Sequence, residues 1–154
     1  MTYVDERSAV SPTAPAQAWA HVSRLGGDER FYVPRRLWRA RGRAERLLGG
    51  PGHRILGTGR LLRPGDPVDF WEVEDVRAPD LLRLRALSLL PGTAWLEVRL
   101  APDPGGTRIT LCTEFEPAGP AGQVFWLLEL PAHRVVFALM ARRLARLVAE
   151  PHAG

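Results

Sequence analysis

The chain alternates between two hydrophobic periods, and that alternation predicts its elements. In the last thirty residues Trp126, Leu130, His133, Phe137, Met140, Leu144 and Leu147 recur at alternating spacings of four and three. That spacing is the signature of one apolar face on a long α-helix, with a single imidazole set into it. Ahead of it the period falls to two. Leu82, Leu84 and Ala86 alternate with Arg83 and Arg85; Leu96, Val98 and Leu100 with Glu97 and Arg99; Ile109, Leu111 and Phe115 with Arg108, Cys112 and Glu114. These are half-buried strands of antiparallel type. Val68 to Val76 forms a further strand after the turn Arg63-Pro-Gly-Asp66, and Pro91-Gly92 and Pro102 to Gly106 punctuate the others.

The first third is predicted to hold a strand over Tyr3 to Val10 and two helices. Thr13 is the expected cap of the first, whose apolar positions Ala16, Trp19, Ala20 and Val22 lead to a stop at Gly26-Gly27. The second opens at Pro34 and carries Leu37, Ala40, Ala44, Leu47 and Leu48 to Gly49-Gly50. Strand, two helices, a meander of strands and a terminal helix segregate helix from sheet. The expected class is α+β, with one domain over residues 1–154 and a curved antiparallel sheet wrapped around the C-terminal helix. The room between sheet and helix is the expected ligand cavity.

Composition narrows the picture. With 45% hydrophobic and 25% charged residues the chain sits at the globular average. All 21 basic residues are arginine, which reads as the imprint of a GC-rich genome, and 17 acidic residues reduce the net charge to +4. Nucleic acid is therefore not an expected partner, and no RNA-binding aromatic signature, helix-turn-helix or zinc pattern supports it. The single cysteine, Cys112, excludes an internal disulfide. Asp5, Glu6 and Arg7 interrupt any early apolar run. The best later run, Val124 to Leu130, contains Glu129 and meets Pro131, so neither a signal peptide nor stable membrane insertion is expected. The default expectation is a cytoplasmic monomer or weak homodimer.

Several segments in fixed order resemble a known family: Arg36-Leu-Trp-Arg-Ala-Arg-Gly42 with Glu45-Arg-Leu-Leu-Gly-Gly50; Gly65-Asp66 with Val68-Asp-Phe-Trp-Glu-Val73; Leu90-Pro-Gly92 with Ala94-Trp-Leu-Glu97; and Leu130-Pro-Ala-His133 with Phe137 and Met140. Together they are similar to an uncharacterised bacterial family of the SRPBCC, or START-like, superfamily. The resemblance implies the Bet v 1-like helix-grip fold and a cavity for a hydrophobic ligand. Ser88-Leu89 departs from it, standing where a Met-Lys pair commonly precedes Leu-Pro-Gly.

Candidate chemistry centres on the terminal helix. Glu129 lies one turn before His133 on nearly the same side, so the two are candidates for a catalytic acid/base pair inside an apolar cavity. The competing reading has His133 bonded to a sheet residue and Glu129 facing water beside the helix breaker Pro131. Candidate ligand-binding residues are Trp126, Leu130, His133, Phe137 and Met140 on the helix, and Trp71, Leu84, Leu96, Val98 and Leu111 on the strands. Alternation leaves open whether the Asp69/Trp71/Val73 or the Val68/Phe70 face is inside. Trp95 falls off the apolar face, which makes it either a covered residue or a contact surface.

Other signals are weaker. Arg35, Arg36, Arg39, Arg41, Arg43 and Arg46 crowd the second helix as an anion site or a solvated face. His21, His53, His133 and His152 are scattered, so no metal is expected, and no glycine fingerprint or nucleophile elbow suggests a cofactor or a covalent mechanism. The leading expectation is binding of a hydrophobic or aromatic small molecule. An enzyme of polyketide cyclase or dehydratase type is the alternative, and a non-catalytic interaction module is the third.

Overall fold

The computed structural model describes residues 1–24, 60–68 and 71–150. Strand β1 (Tyr3–Ser11) leads to helix α1 (Pro15–Val22). After β2 (Pro67–Val68) come β3 (Trp71–Arg77), β4 (Leu81–Ala86), β5 (Gly92–Asp103), β6 (Gly106–Pro117) and the terminal helix α2 (Gly119–Leu147). The expected second helix and its arginine cluster, with His53, Asp69, Phe70 and His152, lie outside the described residues.

The strands form one curved antiparallel sheet in the order β1-β6-β5-β4-β3-β2. Sequence-adjacent strands pair as hairpins, while β1 crosses over to close the far edge on β6, with Asp5 opposite Thr113. Gly106 sits at the start of β6 with φ 127°, where a Cβ would run into the Ser11 carbonyl, so only glycine lets β6 turn so tightly beside β1. The α+β helix-grip arrangement expected from the sequence is what the chain adopts, and it extends to six strands.

The alternation sorts as physics requires. On the concave face Leu82, Leu84, Leu96, Val98, Ile109 and Leu111 are almost wholly buried, packed with Ala18 and Val22 of α1 and with Met140, Ala141 and Leu144 of α2. Trp71 and Val73 of β3 join that face, and so does Val68: the expected single strand from Val68 to Val76 is two antiparallel strands, β2 and β3, with Val68 opposite Trp71, so one alternation does not run through both. The C-terminal half of α2 is thus sealed onto the sheet. Its N-terminal half meets the sheet through Trp126, His133 and Phe137, where the packing is incomplete.

Two local expectations are corrected. Thr13 does not cap α1: the N-cap is Ala14, with Pro15 in the first turn, and no side chain caps the helix. The Thr13 hydroxyl donates instead to the Val148 carbonyl at 3.1 Å, tying the β1–α1 corner to the end of α2. Helix α1 also stops at Val22. The apolar run is also longer than Val124 to Leu130: with Pro131 inside it, α2 is continuous over 29 residues and, by length and composition, is apolar enough to cross a membrane. Glu129 and Arg134 are the only charged side chains between Gly119 and Ala141. Part of that apolar character is on the outer face, where Val124, Leu127, Leu128, Val135 and Leu139 are each more than half exposed.

Candidate functional site

The site grows from the helical stripe. Trp126 lies nearly parallel to Tyr3 and to Phe115, with ring centroids 5.6 and 5.5 Å away. Tyr3 and Phe115 are cross-strand partners, so β1 and β6 present them side by side as a bed for the indole. Two turns further along α2 the His133 ring is tilted between Trp126 at 5.0 Å and Phe137 at 4.2 Å.

The imidazole is anchored on one side. His133 Nε2 lies 2.8 Å from Thr113 Oγ1. That hydroxyl has one proton and donates it to the Asp5 carbonyl at 3.1 Å. The proton in the histidine contact therefore sits on Nε2, which assigns the Nε2–H tautomer and leaves Nδ1 with a bare lone pair. Among the described residues no hydrogen bond reaches Nδ1.

Charge is arranged around this ring. Asp5 Oδ1 accepts from Arg7 at 2.8 Å. Its other carboxylate oxygen, Oδ2, is buried without a hydrogen-bond partner and lies 3.9 Å from His133 Nε2. Burial pushes the imidazole down to about 4, outweighing the attraction of Asp5 for its charged form, and Arg7 adds to the depression. The ring is neutral at physiological pH.

Beside His133 a partly open cavity of about 100 Å³ lies between the N-terminal half of α2 and the β3–β6 end of the sheet. Trp71, Phe115, Phe125, Trp126 and Phe137 form its aromatic wall, Ala86, Leu90 and Ala94 its aliphatic wall, and Ser88, Thr113 and His133 bring polar atoms to it. Ser88 Oγ is buried without a partner. Gly122 sets the near end, because a Cβ there would strike the Pro91 carbonyl, so α2 packs directly on the loop before β5. The Ala118 N–H bonds that same carbonyl at 2.9 Å.

A family model described as "Protein of unknown function (DUF2867)" matches residues 1–140. The chain belongs to the DUF2867 family. Among curated proteins, none matches it in sequence. The DUF2867 chain is similar in structure to KanY, with a TM-score of 0.63 at 13% identity over 97% of this chain and 99% of that one. It is also similar to norcoclaurine synthase from Thalictrum flavum (TM-score 0.58, 15% identity, 98% and 88% covered). A third likeness is to protein CV1439 from Chromobacterium violaceum (0.57, 13%, 96% and 98%). These likenesses show the Bet v 1-like helix-grip fold that the sequence resemblance implied.

The DUF2867 domain distributes the sequence candidates unevenly. Trp71, Trp126, Glu129, His133 and Phe137 line the cavity. Met140, Leu84, Leu96, Val98 and Leu111 do not: they are at most 3% exposed in the solid core, because the sheet and the C-terminal half of α2 meet there without a gap. Leu130 is half-buried on the helix flank and is also outside the lining. Glu129 is exposed, and among the described residues no hydrogen bond joins it to His133. A carboxylate 3.9 Å from the imidazole is that of Asp5, and the polar anchor is Thr113; neither had been singled out. The alternation of β1, which puts Asp5 on the same face as Tyr3 and Arg7, was the available signal.

On the convex face of this domain Arg83 bonds Glu74, Glu97 and Glu114, while Arg99 bonds Glu97 and Glu6. Trp95 is covered there: Arg83 lies 5.4 Å from its ring, and its N–H donates to Glu74 at 3.2 Å. Glu97, Cys112 and Glu114 bring three potential metal-binding atoms within 4.8 Å of one another. Arginines already hold both carboxylates, and burial pushes the Cys112 thiol up to about 11, so the donor set suits guanidinium rather than a metal ion.

Proposed function

We propose that this DUF2867 domain binds a small apolar or aromatic molecule in the cavity between the N-terminal half of α2 and the sheet. The observation that carries this reading is the aromatic-lined space of about 100 Å³ with His133 among its lining residues. Well-packed interiors contain few voids of this kind, and an apolar void is a ready site for an organic ligand. Burial of the ligand's apolar surface supplies affinity at about 25 cal/mol per Å², reduced by the cost of immobilising it. The polar atoms of His133 and Ser88 orient it. Norcoclaurine synthase from Thalictrum flavum, similar in fold, has been solved with dopamine and hydroxybenzaldehyde. That example supports a ligand of single-ring size for a cavity on this scaffold.

The test is native mass spectrometry of freshly purified protein beside denatured protein. A retained organic mass released on denaturation is the expected result. Its absence, together with no quenching or shift of tryptophan fluorescence by indole or toluene, would overturn the reading.

A second reading, proton transfer within the same cavity, is favoured by one observation. A neutral imidazole with no hydrogen bond to Nδ1 among the described residues has a lone pair that can take a proton. Asp5, 3.9 Å from Nε2, works against the depression to about 4 that makes the ring a weak base. Turnover of the retained compound, lost in His133→Gln, would separate catalysis from binding.

A further inference from the structure

We infer that the cavity selects an uncharged hydroxyaromatic ligand, a phenol-type compound whose O–H donates to Nδ1 of His133, and discriminates against aromatic acids. This rests on the binding reading above and goes on to name the ligand class. The hydrogen-bond arithmetic comes first. The Thr113 hydroxyl donates to the Asp5 carbonyl and accepts from Nε2–H, so the ring nitrogen His133 has left to offer a ligand, Nδ1, is an acceptor. A ligand that only accepts hydrogen bonds gains nothing from that nitrogen, whereas a donor satisfies it.

The size of the space comes second. A cavity of about 100 Å³ is somewhat smaller than the roughly 150 Å³ void known to hold benzene, so it admits one ring, with substituents emerging through the open side. The wall is aromatic on several sides, through Trp71, Phe115, Trp126 and Phe137. A planar ring matches such a wall better than a branched aliphatic of equal volume.

Charge comes third. Among the described residues no arginine lines the cavity. The ionisable lining residues among those described are Glu114 and Glu129, besides the depressed imidazole. Glu114 is engaged by Arg83, leaving Glu129 at the wall. A carboxylate or phosphate on the ligand would find no arginine among the described lining residues to pair with.

The experiment titrates the full chain at pH 7 with 4-ethylphenol, 4-ethylanisole, ethylbenzene and 4-ethylbenzoate, following tryptophan fluorescence and isothermal heats. One neutral hydrogen bond made in place of water predicts that 4-ethylphenol binds about five- to tenfold more tightly than its methyl ether or ethylbenzene. The benzoate is expected to be the weakest. In His133→Phe the ratio of phenol to ethylbenzene affinity should fall to about one.

Nitrogen-15 chemical shifts of the His133 ring give a measurement free of any folding defect in the variant. They should show a protonated Nε2 and a bare Nδ1 whose resonance moves when 4-ethylphenol, but not ethylbenzene, is added. Equal affinity for phenol and ether, a preference that survives His133→Phe, an unmoved Nδ1 resonance, or tightest binding of the benzoate would each overturn the inference while leaving ligand binding intact. Failure of all four compounds to bind would overturn both.

Discussion

His133 on α2 and Thr113 on β6 are joined by a 2.8 Å hydrogen bond between Nε2 and Oγ1, and this contact fixes which imidazole nitrogen carries the proton. Thr113 is only 4% exposed, so the bond lies in a medium that penalises any unmade partner. Thr113→Val keeps the shape and removes the acceptor, leaving a buried N–H on His133. The expected loss is about 1–3 kcal/mol of unfolding free energy at pH 7, whereas Thr113→Ser should recover most of it. Urea denaturation of the three proteins checks this. Equal stabilities would mean that the ring is held by its aromatic neighbours alone.

The same imidazole makes stability depend on pH. Unfolded, the ring binds its proton near 6.5; folded, it does so only near 4. Between those values the unfolded chain holds more protons, so the folded state is favoured fully above about pH 6.5 and loses that advantage as pH falls toward 4. The full effect is on the order of 3 kcal/mol. Comparison with His133→Gln between pH 7 and 5, above the range where most carboxylates titrate, isolates it. The wild-type curve should drop more steeply than the variant's, and parallel curves would contradict the burial of a neutral ring.

Much of this was legible because period alone encodes it. The stripe from Trp126 to Leu147 specified a long helix, and the strict alternation around Leu84, Leu96 and Leu111 specified the concave face. The partner of His133 was not legible in the same way. Glu129 is close in sequence, but its side chain escapes at the flank of the helix; Asp5 and Thr113 are 108 positions apart and meet only through the register of β1 on β6. Period also cannot tell a filled interior from a hollow one. Leu84 and Ala86 share a face, yet the leucine is in the solid core and the alanine lines the cavity. Side-chain volumes on facing elements decide that difference, and they meet only after folding. Thr13 shows the same limit on a smaller scale, since its hydroxyl had a distant carbonyl, that of Val148, as an alternative to capping α1.

The convex face yields a prediction about stability rather than binding. Glu97 is 8% exposed; burial pushes its carboxyl up, but hydrogen bonds from Arg83 and Arg99 outweigh burial and hold it below the usual carboxylate range. Arg83→Met takes away one of those partners and uncovers Trp95, so a loss of about 1–3 kcal/mol is expected. Adding Glu97→Leu should restore part of it, because the uncompensated charge is then gone. A double-mutant cycle by chemical denaturation measures the coupling, and additive losses would show that Arg99 alone suffices for Glu97.

Filling the cavity provides the sharpest separation between a hollow with a purpose and a packing defect. Ala94 and Ala86 both lie at its aliphatic wall, opposite Phe115 and Trp71 in the sheet register. Ala94→Leu adds three carbons to a space of about 100 Å³, and an apolar group placed in an apolar void gains contact without displacing a neighbour. Unfolding free energy should therefore hold or rise by up to about 1 kcal/mol, as cavity-filling substitutions commonly do. Affinity for 4-ethylphenol should fall at least tenfold, since the ring would have to expel the new side chain. If the variant is destabilised as overpacked cores are, by about 1–3 kcal/mol, the space is tighter than its geometry indicates. If it is stabilised and still binds the phenol unchanged, the ligand sits elsewhere on the domain.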